Sequence, residues 1–198
     1  LDEMAAHGIE PEIRHCCNSG ATILYPEYAL DMVRPGIATY GVLPSEDLRG
    51  MIDLRPVMSL RSTIFQIRDF EPNITISYGR TYTTEDPARI AVVGIGYADG
   101  FPRSLSSNVS FLLHGRRVPQ VGRICMDMCM VDITRVPEAK VGDVVTVFGE
   151  DGGDSIEVTS LANRLGTIPY ELMCGINKRI PRIYLNGEDE TEVLQYIV

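Results

Sequence analysis

The sequence predicts a mainly β domain, an antiparallel sheet or barrel with two short helices, preceded by a short α/β unit. Three observations carry this. Between residues 58 and 148, β-branched and apolar runs follow one another at 60–70, 75–78, 89–98, 109–113, 117–120, 128–133 and 144–148. Turn signals separate them, at Glu71-Pro72-Asn73, His114-Gly115 and Val141-Gly142-Asp143, which is the rhythm of antiparallel sheet or barrel. Before residue 55 the pattern differs: strand-like and helix-like segments alternate, as in a parallel α/β unit.

Taken in order, residues 1–8 read as the last turn of a helix with Gly8 as its C-cap. The opening lacks an initiator methionine, so the sequence is expected to begin partway through a longer protein. Residues 13–17 read as a strand ending in Asn18-Ser19-Gly20, residues 26–30 as a helical turn, and 32–33 as a short strand ending in Arg34-Pro35-Gly36. In a β/α barrel, function collects at such carboxyl ends of strands. Residues 43–56 are polar and broken by prolines, which marks a linker, so the expected division is 1–55 and 56–198. After the strand series, Thr159 is expected to cap a helix that stops before Gly166. Thr167 with Pro169 is expected to start a second helix, and 182–185 a closing strand.

Composition bounds the function. With 44% hydrophobic and 23% charged residues, the chain has the balance of a soluble globular protein. Acidic residues outnumber basic ones 27 to 18, for a net charge of −9, which argues against a nucleic-acid partner. The five cysteines form no C-x-x-C pair, so neither a disulfide scaffold nor a metal site is expected, and the thiols are read as reduced, in a cytoplasmic setting. The longest apolar run, 90–98, contains Gly94 and Gly96 and falls far short of the ~20 residues of a membrane span. Only Lys140 and Lys178 are lysine among the 18 basic residues.

Several residues could carry chemistry. Ser19, between Asn18 and Gly20, suits a phosphate oxygen or is an ordinary loop serine. Arg34 could pair with an anion or with a ring nitrogen, to which it can donate but from which it cannot accept; it could equally serve a structural ion pair. Tyr78, before Gly79, either packs its ring or moves a proton. A phenol ordinarily keeps its proton to about pH 10, so a base working near about pH 8 needs nearby cations supplying roughly 3 kcal/mol. The sequence places neither Arg80 nor His114 to do this. Tyr82 and Tyr97 share the packing alternative. Strand alternation through 122–130 would set Cys125, Asp127 and Cys129 on one face and Met126, Met128 and Met130 on the other, a core pattern; a bent loop presenting backbone amides is the alternative.

The order of these blocks is more specific than any one of them. His15-Cys16-Cys17-Asn18-Ser19-Gly20, Arg34-Pro35-Gly36-Ile37-Ala38-Thr39-Tyr40-Gly41, Ser77-Tyr78-Gly79-Arg80-Thr81-Tyr82, Gly94-Ile95-Gly96-Tyr97-Ala98-Asp99-Gly100 and Gly122-Arg123-Ile124-Cys125-Met126-Asp127 together closely resemble the successive blocks of the alanine racemase family. Thr167-Ile168-Pro169-Tyr170-Glu171 and Arg179-Ile180-Pro181-Arg182 fit the same pattern. The resemblance implies that residues 1–55 are the end of a (β/α)8 barrel and 56–198 the C-terminal β domain. The function it implies is pyridoxal-phosphate-dependent interconversion of L- and D-alanine for cell-wall synthesis. The site would lie in a homodimer and be shared across the interface. By the same resemblance Ser19, Gly36, Ile37 and Tyr170 hold the cofactor phosphate and Arg34 faces the pyridine nitrogen. Tyr78 is one of two bases, offered to the partner's cofactor, while Met126 meets the substrate carboxylate through its backbone and Tyr97 lines the entryway.

The family's other base is a lysine that also holds the cofactor, in an early barrel block with no counterpart here. Lys140 and Lys178 stand in no such context, so the chain alone is expected neither to bind the cofactor covalently nor to racemise. Three alternatives stand beside this reading. One is a serine/alanine racemase domain of a vancomycin-resistance system, sometimes membrane-anchored, in which the residue matching Tyr170 can differ. Another is a pyridoxal-phosphate decarboxylase of basic amino acids, which uses a different cysteine-containing block where residues 123–127 stand. The third is a non-catalytic dimerisation module.

Overall fold

The computed structural model describes residues 1–187 and 189–195. It separates into two compact units, Leu1–Met58 and Ser59–Val198.

The first unit is mostly turns. Helix α1 (Asp2–Ala6) ends at His7, and Gly8 follows at φ +71°, the left-handed exit expected of a glycine there. Helix α2 (Ser19–Leu24) is capped by Asn18, whose Oδ1 accepts from the Ala21 amide at 3.0 Å. Short 3-10 turns follow at Pro26–Tyr28, Ile37–Tyr40 and Glu46–Leu48. The two strands expected at 13–17 and 32–33 are reduced to one parallel bridge, between Asn18 and Arg34. A parallel ladder is stable when flanked by further strands, and within this unit the two segments have only each other. Gly41 is irreplaceable on steric grounds: φ is +73° and a Cβ would lie 1.8 Å from the Arg55 carbonyl oxygen.

The second unit is a closed antiparallel barrel, as the mainly β reading requires. The strands to residue 156 are β1 (Leu60–Phe70), β2 (Thr75–Ile76), β3 (Tyr82–Thr83), β4 (Ala88–Val93), β5 (Ser110–Leu113), β6 (Arg116–Val121), β7 (Cys129–Asp132), β8 (Val144–Asp151) and β9 (Asp154–Ile156), of which β2 and β3 form a separate two-stranded sheet outside the barrel. The order is β1-β4-β7-β6-β5-β8, closed by β8 on β1, with β9 added beyond β8. Strand β1 serves two neighbours: residues 60–63 pair with β8 and 64–70 with β4, with register shifts at Leu60/Arg61 and Ile64/Gln66. Such irregularities turn the corner that closes a barrel. Phe101, Phe111, Leu113, Val131, Val145 and Phe148 are among the buried residues, and the rings of Phe101 and Phe111 meet edge to face at 5.4 Å. The β5–β6 connection is His114-Gly115, at φ +52° and +73°, the pair of positive φ values that a tight hairpin demands.

Helices α3 (Val158–Leu165) and α4 (Pro169–Gly175) follow, then the hairpin of β10 (Arg182–Asn186) and β11 (Asp189–Leu194). Gly166 ends α3 at φ +69° and Pro169 opens α4, both as expected. The cap of α3 is Glu157 rather than Thr159, which lies inside the helix. None of the helices among the described residues is long and apolar enough to cross a membrane.

Three strands are shorter than expected, and a candidate residue lies in the irregular segment beside each. The 75–78 run stops at Ile76 because Ser77 turns to φ +68°. The 89–98 run stops at Val93, and Tyr97–Asp99 is a 3-10 turn. The 128–133 run starts only at Cys129, so 122–128 is a loop and the two-faced alternation does not extend through it.

Candidate active site

In the first unit, Ser19, Arg34, Gly36 and Ile37 converge through the Asn18–Arg34 bridge. Asn18 caps α2 and so fixes Ser19 as its first residue. Ser19 is buried, and its Oγ accepts from the Ala38 amide at 3.3 Å, which ties the start of α2 to the Ile37–Tyr40 turn. Ile37 is buried beneath that turn, whereas a Cβ on Gly36 would meet no heavy atom within 4 Å, so the backbone there borders open space. The Arg34 amide donates to the Cys17 carbonyl at 2.8 Å, and its guanidinium reaches His15 Nδ1 at 2.7 Å. Arginine has no acceptor, so Nδ1 must accept, which places the proton of the neutral ring on Nε2. A buried hydroxyl beside an open glycine suits a phosphate-sized group, and a fixed cation that only donates suits an unprotonated ring nitrogen. The donor set therefore fits pyridoxal phosphate.

In the second unit, Tyr78, Tyr97 and Met126 are all exposed, at 73%, 43% and 53%. The backbone around Tyr78 is strained: Ser77, Gly79 and Arg80 have φ values of +68°, +72° and +52°. A non-glycine residue in this region costs on the order of 1 kcal/mol, and two are present. The turn is held by Ser77, whose Oγ donates to the Arg123 carbonyl at 2.7 Å. A Cβ on Gly79 would stand 3.2 Å from Arg123 Cζ, so the Arg123 guanidinium lies against the backbone next to the phenol. Arg123 is thus the cationic side chain packed on this turn, which the sequence spacing did not single out. His114 is engaged elsewhere, with Asp143 at 3.0 Å.

The Met126 loop is held by a different device. The Tyr97 amide donates to the Cys125 carbonyl at 3.0 Å and the Ala98 amide to that of Met126 at 2.9 Å. This approach requires Gly96, where a Cβ would lie 2.3 Å from the Met126 carbonyl oxygen. The buried Asp99 accepts from the Gly96 amide at 2.8 Å through one oxygen and from Arg179 Nε at 2.5 Å through the other. The same guanidinium reaches Asp127 at 2.5 Å. These two carboxylates, Asp99 first, hold the Arg179 pKa above its ordinary value. Arg179 thus ties the Tyr97 turn to the Met126 loop, a role visible only in three dimensions because its partners lie 80 and 52 residues away. Tyr170, the remaining expected site residue, is exposed on the first turn of α4.

Comparison with known proteins places this arrangement. The family described as alanine racemase, C-terminal domain, matches residues 57–184, and alanine racemase, N-terminal domain, matches residues 1–44. An alanine racemase of Methanococcus maripaludis is 50% identical over 187 residues, which cover 94% of this chain and 50% of that protein. Alanine racemase 2 of Caldanaerobacter subterraneus is 44% identical over 197 residues, covering all of this chain and 51% of its own length. The crystal structure of alanine racemase from Bacillus anthracis with bound L-Ala-P superposes with a TM-score of 0.93 at 37% identity, over 99% of this chain and 50% of that one. The alanine racemase of Clostridium difficile 630 in complex with cycloserine gives 0.92 at 41%, over 100% and 52%. The chain thus spans about half the length of the curated relatives it matches. With more than half of its residues matched by the C-terminal domain family, it belongs to the alanine racemases.

Proposed function

We propose that the chain is the C-terminal part of a pyridoxal-phosphate-dependent alanine racemase that works as a homodimer with two bases. The observation that carries this reading is the Tyr78 turn. A phenol exposed at 73% is presented on a backbone with positive φ values at Ser77, Gly79 and Arg80, on either side of it, and strain of this kind gathers at functional sites. The Arg123 guanidinium lies against Gly79, in the turn that carries the phenol.

Tyr78 Oη takes the α-hydrogen from one face of the substrate, or returns it there, and a lysine from outside these 198 residues acts on the other face. Being exposed, the phenol is available to a partner protomer. The Met126 amide, on a loop braced by Arg179, receives the substrate carboxylate, and Tyr97 lines the approach to it. Ser19, Gly36 and Ile37 would hold the cofactor phosphate, a role that the family resemblance also gives to Tyr170. Arg34 would donate to the ring nitrogen without protonating it. Pyridoxal phosphate, when bound, supplies the electron sink that acidifies the α-hydrogen. Tyrosine at position 170 favours alanine over serine as substrate. Neither Lys140, in the turn before β8, nor Lys178, after α4, stands near the Ser19–Ile37 segment in sequence, so this chain by itself is inactive.

The test uses the longer racemase. Tyr78→Phe is expected to lower kcat/KM for racemisation by about 10²–10⁴-fold. Exchange of the α-hydrogen with solvent deuterium should be lost from one alanine enantiomer and kept for the other. Racemisation within a few-fold of the parent, or equal loss of exchange from both enantiomers, overturns the assignment.

A further inference from the structure

Cys16 and Cys17 have no part in the proposed reaction, yet their side chains are set as a pair. The two Sγ atoms lie 3.9 Å apart, and both point at the same acceptor, the Tyr28 carbonyl, at 3.4 and 3.1 Å. Adjacent residues in an extended strand send their side chains to opposite faces. Here the chain leaves strand geometry before Asn18, and the thiols converge instead. Cys16 is exposed and Cys17 is buried. Both thiols are free, as are the other three in the chain.

The spacing matches the bite of a soft centre. Two thiolates on one tetrahedral zinc, with bonds of about 2.3 Å, stand about 3.8 Å apart. Zinc itself is a poor occupant, because a closed zinc site needs four ligands. Among the described residues no group of three or more histidine, cysteine or carboxylate side chains is placed to hold a metal ion. The nearest imidazole in sequence, His15, has its Nδ1 engaged by Arg34. What two converging thiols can satisfy by themselves is a centre that takes two sulfurs and keeps a third substituent of its own.

We propose that Cys16 and Cys17 form a vicinal dithiol site for trivalent organoarsenicals and like thiophilic electrophiles. The exposed Cys16 reacts first, and Cys17 closes the ring. Burial, followed by the neighbouring Cys16, pushes the Cys17 thiol up, in keeping with its coming second. The step is a condensation: two As–O bonds break, two As–S bonds form, and the two thiol protons leave with the arsenic-bound oxygen as water. Arsenic stays trivalent throughout, so no oxidant or reductant is needed. The site is independent of the racemase reading, although it adjoins Asn18 and Ser19.

The probe is phenylarsine oxide added to the reduced chain, followed by a monothiol wash, intact mass and peptide mapping. One equivalent, less one water, should survive the wash, be released by a dithiol, and map to the tryptic peptide that begins at His15, whose only cysteines are these two. Cys16→Ser, an exposed change that leaves the packing alone, should lower retention on that peptide at least tenfold. Cys125→Ser and Cys174→Ser should not change it. Retention in Cys16→Ser with unaltered circular dichroism, an adduct mapping to Cys125 and Cys129, or no adduct that survives the monothiol, would each overturn the proposal.

Discussion

The two units hold their candidate residues by different means. In 1–58, Gly41 apart, the contacts that hold them are polar: an asparagine cap, a serine hydroxyl on an amide, and an Arg14–Asp31 fork at 2.7 and 2.9 Å. In 59–198 the residues sit on a packed barrel and are placed by sterics, through glycines whose Cβ would collide with backbone, reinforced by the Arg179 clamp. Polar contacts each contribute about 1 kcal/mol, and the charged ones among them depend on pH and salt. Packing and steric exclusion depend on neither. Disturbances of equal chemical size should therefore cost more in the second unit than in the first.

The largest effect is expected from the barrel core. Phe111 is fully buried against Phe101, so Phe111→Ala should destabilise the barrel by about 3–5 kcal/mol. Urea unfolding followed by a barrel-specific probe measures this, and a loss under about 1 kcal/mol would show that the core relaxes. Next comes Gly96→Ala. Its Cβ would lie 2.3 and 2.4 Å from the Met126 and Cys125 carbonyl oxygens, which are backbone atoms and cannot rotate away. The expected cost is about 2–3 kcal/mol, with faster amide exchange at Tyr97 and Ala98. A variant as stable as the parent would mean that the Met126 loop is placed by Arg179 alone.

In the first unit the corresponding change is smaller. Asn18→Ala removes the cap of α2 and should cost about 1 kcal/mol, read as faster hydrogen exchange at the Ala21 amide. If exchange at the barrel amides of β4 and β7 accelerates equally, the two units are not held independently and the contrast fails.

These differences also explain what the sequence could reveal. Barrel strands were legible because β-branched runs and turn residues act locally: β1 begins and ends where its pattern does, and His114-Gly115 makes the turn its residues demand. The ends of the strands at 75–78 and 89–98 were not legible. Serine at φ +68° has no local signal at position 77, and the early stop of β4 depends on Asp99 accepting from Gly96 while Arg179 neutralises it from 80 residues away. The strands at 13–17 and 32–33 failed for a related reason, since a parallel ladder is a property of neighbours and their apolar pattern could not supply them. Exposed aromatic and loop residues such as Tyr78, Tyr97 and Met126 stood out through their block order. Arg123 and Arg179, which brace them, act through contacts that no spacing rule gives.

The smallest expected effect sharpens the contrast by pH. The Arg14 guanidinium, aided by the Arg14 amide, holds the Asp31 carboxyl well down from its ordinary value of 3.8, to about 2. A carboxyl lowered by folding contributes stability that is complete above the unfolded value and is lost as pH falls through the folded one. The Arg14–Asp31 contribution should therefore be intact above about pH 4 and disappear as the pH approaches 2, sooner at high salt, because both side chains are exposed. A carbon-13 titration of the Asp31 carboxyl should show its midpoint near 2, and Arg14→Gln should return it to the ordinary range. Exchange of the Tyr97 and Ala98 amides should change little when salt is raised at neutral pH, because the carbonyls that accept from them carry no net charge. A midpoint at the ordinary value in the parent would remove the fork from the forces that order the first unit, leaving the Asn18 cap and the Ser19 hydroxyl to hold it.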